Sequence, residues 1–471
     1  MISRHTQRRS LAARVLTGGA LLLFGALTAW GDPPNPMPVG SESEFKRKML
    51  DNGLEVIVIE DKTVPLVTVD IVVRNGAFTE PDEFAGLSHL YEHMFFKSNA
   101  AYKSQEEYMD RVQELGISYN GYTSTEVVNY FFTLPSTNLE HGMKFMADAI
   151  MTPQFKTDEL VKERQVVIGE FDRNEADPSF VLRYALDSAM WNPYVSRKQA
   201  LGQRNVILTA TVEKMEMIRN RFYVPNNSAL IVSGDVDAEE VFELAEKYYA
   251  EWKRGEDPFP KYNAPDYPAL KPTLVVRKAD IPLASVQFGW HGPSLLKDEP
   301  APYIADILFT MANQPTSRFY GQLVDSGLVA GVYVGYQSAR NTGEISVYAQ
   351  AIPGKELEAI AAIKRELTAM SKPGYFTEDD LATAKQILAD DRVFDRENVF
   401  NFTIRTVPFW WSSGGSLDYY EALNENMNKV TLAQTQDFLK KYVVGKPFVL
   451  GVGAPEEQLK TLNLTEKHAQ W

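Results

Sequence analysis

The chain has 471 residues, 44% of them hydrophobic and 23% charged, which is an ordinary globular balance with length for more than one domain. Its 62 acidic side chains outnumber 48 lysines and arginines, a formal charge of −14 that disfavours nucleic acid and anionic membrane as partners. There is no cysteine, so disulfides, thiolate metal sites and a cysteine nucleophile are excluded, and any metal must be held by histidine and carboxylate.

Residues 1–31 read as a signal peptide. Arg4, Arg8, Arg9 and Arg14 form a basic start, Val15 to Leu27 an apolar run, and Ala29-Trp30-Gly31 a small-residue cleavage site. The run is short for a membrane span. Its removal takes the net charge from −14 to −18 and leaves a chain expected in the periplasm without a membrane anchor. A Pro-rich leader follows at 32–44. A first domain is expected at 45–254, a Pro-rich linker with Pro258, Pro260, Pro265, Pro268 and Pro272 at 255–272, and a second domain at 273–471.

The two halves read as repeats. Val64-Pro65-Leu66-Val67-Thr68-Val69 resembles Ile281-Pro282-Leu283-Ala284-Ser285-Val286 at an offset of 217, and Leu230 to Gly234 resembles Val449 to Gly453 at an offset of 219. Each half opens with β-rich runs, such as Leu54 to Ile59 and Thr273 to Arg277. Amphipathic segments follow, among them Gln105–Leu115, Thr157–Arg173 and Ala238–Trp252. The pattern predicts a duplicated α+β domain.

Ser88-His89-Leu90-Tyr91-Glu92-His93 contains H-x-x-E-H. Pro81-Asp82-Glu83 supplies an acidic helix start, and Leu87, Leu90 and Met94 recur at helical spacing. Residues four apart share a helix face, so His89 and His93 can clasp one ion while Glu92 sits beside them. A catalytic zinc site needs a third protein ligand and an open position. The remaining histidines, His5, His141, His291 and His468, belong to no companion motif, so a carboxylate is expected. Glu163-Arg164-Gln165-Val166-Val167-Ile168-Gly169-Glu170 offers two glutamates seven apart, on nearly one helix face. One can ligate while the other supports by hydrogen bonding.

H-x-x-E-H followed by E-R-x-V-V-x-x-E, with Glu170 lying 77 positions after His93, resembles the insulinase/pitrilysin family of zinc metallopeptidases. The resemblance implies His89, His93 and Glu170 as ligands of one Zn2+ per chain, Glu163 as support, and Glu92 as the base acting on water. Tyr119-Asn120-Gly121-Tyr122-Thr123-Ser124 looks like the family's substrate-pairing strand, which makes Asn120, Gly121 and Tyr122 candidate substrate-binding residues. Arg221 to Asn227 and Gly234-Asp235-Val236 resemble its end-of-domain signature. The implied fold is a clamshell of two homologous α/β sandwich-like domains, each a mixed, largely antiparallel sheet with flanking helices. The implied activity is that of an endopeptidase on peptides or small unfolded polypeptides. A non-catalytic docking homologue is the alternative.

The second half lacks the motif: at the 217 offset His89, Glu92 and His93 fall on Asp306, Phe309 and Thr310. It also departs from single-chain members, which carry an Arg/Tyr pair in a segment like S-R-L-x-x-x-L-R-x-x-x-G-L-A-Y. Here Val324 and Ala330 stand at those places. A homologous metal-less subunit bringing that pair is the expected partner, unless Arg318, Tyr333 or Tyr336 substitutes.

Overall fold

The β-branched runs form eleven strands in a computed structural model that describes residues 44–262 and 265–471. The segment read as a signal peptide, and all of the leader but Glu44, lie outside the described residues. Strands β1 (Lys46–Met49), β2 (Glu55–Glu60), β3 (Leu66–Val73), β4 (Ser118–Thr123), β5 (Val128–Pro135) and β6 (Ser228–Gly234) make one sheet, ordered β1-β2-β6-β3-β5-β4. Strands β7 (Thr273–Lys278), β8 (Ala284–His291), β9 (Val329–Gln337), β10 (Glu344–Ala351) and β11 (Val449–Ala454) make a second, ordered β7-β11-β8-β10-β9. Each sheet has one parallel pair, β2/β6 and β7/β11, and is otherwise antiparallel.

With β1 set aside, the two strand orders are the same, so the chain is a duplicated α+β unit. The registers also correct one detail of the repeat. Thr68 faces Ser233, and Ser285 faces Gly453. With Thr68 and Ser285 as counterparts, Ser233 rather than Gly234 corresponds to Gly453. The two sequence offsets were therefore incompatible by one residue, a shift that would turn every side chain to the wrong face.

Helices α1 (Leu87–Phe95), α2 (Gln105–Glu114), α3 (Leu139–Met151), α4 (Thr157–Glu175) and α5 (Pro178–Trp191) follow in the first half. Alternation along the strands sends Val67, Val69, Ile71, Tyr130 and Phe132 into a core with α1, α3 and α4, while Ile57, Val72 and Ile231 join a core shared with the second half. Both faces of the first sheet are thus covered, which explains its nearly continuous apolar runs.

Each half lends a segment to the other's sheet. Residues 399–413 of the second half lie on the first sheet, where Thr403 Oγ1 donates to Ser233 Oγ at 2.7 Å and Asn129 Nδ2 donates to the Ile404 carbonyl at 3.1 Å. In return, Leu182, Leu186 and Met190 of α5 pack with Val275 and Val449 on the second sheet. Gly451 permits the close approach: a Cβ there would lie 2.7 Å from Leu186 Cδ1. The Pro-rich stretch between the sheets carries aromatic anchors. Phe259 stacks on Phe78 at 5.8 Å, and Tyr267 packs edge-on against Trp191 at 5.0 Å. Among the described residues no helix is long and apolar enough to cross a membrane.

Candidate metal centre

The helix that carries H-x-x-E-H begins later than its acidic lead-in implies. Asp82–Phe84 is a separate 3-10 turn, and α1 starts after Gly86. Its first amides are satisfied by Glu80, whose carboxylate accepts from the backbone N–H of Gly86 at 2.7 Å and of Ser88 at 2.6 Å. Leu87, Leu90, Tyr91, Met94 and Phe95 are buried, which turns His89, Glu92 and His93 to the more open side.

On α4, Leu160, Glu163, Val167 and Phe171 face inward, toward α1. Glu170 Oε2 comes within 3.4 Å of His89 Nε2, and Glu163 Oε2 within 3.2 Å of His93 Nδ1. Ligand atoms of His89, His93 and Glu170 all lie within 4.8 Å of one another. Among the described residues this is the one group of three or more histidine or acidic side chains brought together in this way. Two imidazoles and a carboxylate suit a zinc ion by donor type and number.

Electrostatics agree with a cation site. Burial works against the charged form of His93, but the bond to Glu163 and the charges of Glu92 and Glu170 outweigh it and raise its pKa. For Glu163, burial pushes the pKa up, while His93 and Lys97 together hold it below the usual carboxylate range. An ionised Glu163 only accepts, so a neutral His93 carries its proton on Nδ1 and turns its Nε2 lone pair outward.

Glu92 lies between α1 and the sheet. The Thr123 hydroxyl donates to Glu92 Oε2 at 2.6 Å, and a Cβ on Gly121 would sit 2.8 Å from Glu92 Cγ. Gly121 and Thr123 are two apart on β4 and so share the face toward α1. The neighbouring side chains of Asn120 and Tyr122 point to the opposite face. Of the three substrate-strand residues named from the sequence, only Gly121 therefore borders the centre. Asn120 Oδ1 accepts from the Gly121 N–H at 2.9 Å, an amide turned away from β5. Strand β4 is the sheet's edge, with β5 as its single neighbour.

Sequence reasoning passed over Glu80 and Lys97, and it placed Thr123 in the resembling strand without giving its hydroxyl a role. Lys97 stands four after His93 and Thr123 two after Gly121, so helical and strand periodicity carried both signals. Glu80 had no such signal, because the 3-10 turn at Asp82–Phe84 separates it from the helix it caps.

In the second half, the helix Pro300–Asn313 replaces α1 and carries Asp306, whose pKa burial pushes to about 7. The candidate substitutes for the Arg/Tyr pair differ in their surroundings. Arg318 pairs with Glu366 at 3.3 Å and lies over the Tyr375 ring, and Tyr336 donates to the Pro293 carbonyl at 2.9 Å. Tyr333 is exposed.

A duplicated α+β chain with an H-x-x-E-H helix and a distal glutamate defines a class, and comparison with known proteins names it. The family model described as Insulinase (Peptidase family M16) matches residues 55–202, and that described as Peptidase M16 inactive domain matches 209–388. The chain belongs to the insulinase (M16) family of peptidases. It is 27% identical over 350 residues to the zinc protease PqqE of Helicobacter pylori, covering 71% of this chain and 76% of that one. The crystal structure of a protease from Helicobacter pylori superposes with a TM-score of 0.77 at 20% identity, over 87% of this chain and 99% of that chain. The first half of the periplasmic protease PqqL from Escherichia coli gives 0.74 at 17% identity, over 91% and 95%. These superpositions establish the two-domain clamshell fold.

Proposed function

We propose that the chain is a zinc-dependent endopeptidase of the periplasm, acting on peptides or small unfolded polypeptides as the metal-bearing subunit of a heterodimer. The observation that carries the reading is the convergence of His89, His93 and Glu170 with Glu92 alongside, next to an open strand edge. His89, His93 and Glu170 would hold the ion, which when bound supplies Lewis acidity and lowers the pKa of water. Glu92 takes the proton of the attacking water and returns it to the leaving amine. Glu163 keeps His93 in the tautomer that can ligate. The backbone of β4 binds the substrate as an added strand, which favours broad sequence tolerance.

The heterodimer is supported by what the second half lacks. Val324 and Ala330 stand at the Arg/Tyr places, and two of the three substitutes are tied into structural contacts. The test is metal analysis with a peptidase assay on wild type and Glu92→Gln, with and without a co-purified homologous chain. The reading expects Glu92→Gln to keep zinc and lose turnover. Full activity of the isolated chain would refute the split site. Retained turnover in Glu92→Gln would remove Glu92 from its role.

A further inference from the structure

The geometry points to Lys97 as a positioning residue for the metal centre, a role that rests on the zinc-site reading above. Lys97 follows the end of α1 and stands four positions after His93. Its Nζ lies 2.7 Å from Glu163 Oε1, while the other oxygen of the same carboxylate lies 3.2 Å from His93 Nδ1. The side chains of Lys97 and Glu163 are only 13% and 11% exposed, so water and salt screen the pair little. A carboxylate turns readily about its last bond. With Oε1 tied to Lys97, Oε2 is aimed at the imidazole, and the imidazole in turn at the ion.

The next residue makes a parallel link. Ser98 Oγ donates to Glu159 Oε2 at 3.2 Å, one helical turn before Glu163. Lys97 and Ser98 thus fasten the end of α1 to α4 at two successive turns, ahead of the point where Glu170 meets His89. Charge gives the same answer. Glu92, Glu163 and Glu170 all act on His93 and bring three formal negative charges. Lys97 returns one positive charge, and the remainder matches a divalent cation.

A lysine just beyond a helix C-terminus can also act simply on the helix dipole. The two roles part in one experiment: zinc affinity of the full chain by competition with a chromogenic chelator, with the unfolding temperature of the metal-free protein recorded alongside. Lys97→Met keeps the apolar stem and removes the ammonium. It is expected to weaken zinc binding by about 10- to 100-fold, as loss of such a supporting contact does elsewhere. Lys97→Arg restores most of the affinity. In a Glu163→Gln background Lys97→Met adds no further loss, because the effect passes through Glu163. Zinc binding unchanged in Lys97→Met, or losses that add in the double variant, would overturn the positioning role and leave the zinc site standing. A wild-type chain that binds no zinc would overturn the zinc-site reading and this inference with it.

Discussion

The hydroxyl of Thr123 donates to Glu92 Oε2 across 2.6 Å, joining the strand at the sheet's open edge to the carboxylate beside the His89, His93 and Glu170 cluster. A hydrogen bond to a charged group contributes about 1.5–3 kcal/mol. Thr123→Val keeps the shape and removes the donor. The expected result is a kcat lowered roughly 10- to 100-fold with KM and zinc content unchanged. Thr123→Ser should recover most of the rate. An equal loss in the serine variant would show that packing, not the hydroxyl, matters.

Gly121 acts on the same carboxylate by leaving space. Its missing Cβ would fall 2.8 Å from Glu92 Cγ and 3.1 Å from Oε1, well inside normal contact. Gly121→Ala must displace either Glu92 or β4. The variant should bind zinc like wild type and lose activity by at least the margin of Thr123→Val, about tenfold or more. A crystal structure of the variant with Glu92 unmoved would contradict this.

Much of this arrangement was legible before the structure. Helical periodicity and ligand count are local arithmetic: they paired His89 with His93 and called for a carboxylate at Glu163 or Glu170, and the resemblance to a known family chose Glu170, the one that joins the cluster. The duplication was found because paired β-branched runs recur at nearly one spacing. The strand that resembles a substrate-pairing segment was harder. Asn120 and Tyr122 flank Gly121, but strand alternation sends their side chains away from α1, and only the contacts of Gly121 and Thr123 with Glu92 reveal which face is which. The exchange of α5 and 399–413 between sheets was hidden for another reason. Leu182, Leu186 and Met190 make an apolar stripe that any core would accept, and nothing local says whose core. Glu80 was missed because the cap of α1 comes from across a turn rather than from the residue before the helix.

Glu80 also makes stability depend on pH. Burial raises its pKa to about 7, against the pull of the Gly86 and Ser88 amides, from a usual value of 4.5. The folded state therefore binds this proton more tightly than the unfolded chain does. The stability it contributes is complete below about pH 4.5 and declines as pH rises through 7. About 3 kcal/mol is at stake. Glu80→Gln does not titrate. Its unfolding free energy relative to wild type should rise by up to that amount between pH 5 and pH 8. Loss of one acceptor oxygen adds only a constant offset. A difference independent of pH, measured by urea denaturation, would reject the assignment.

The exchanged helix predicts that the two halves unfold together. Leu186 is 4% exposed, yet the residues it meets, Val275, Val449 and the surface over Gly451, belong to the other half. Truncation to alanine leaves a cavity in a seam and not in either domain's own core. Such a change costs roughly 2–5 kcal/mol. With α5 bridging one sheet and 399–413 bridging the other, neither half keeps both faces of its sheet covered alone. Leu186→Ala should therefore lower the midpoint of one cooperative transition, seen alike by tryptophan fluorescence and by circular dichroism. Trp191 and Trp290, buried at 1% exposure on α5 and on β8, report on this seam and on the second half. If fluorescence shifted while circular dichroism split into two steps, the halves would be independent units and the exchanged helices mere surface contacts.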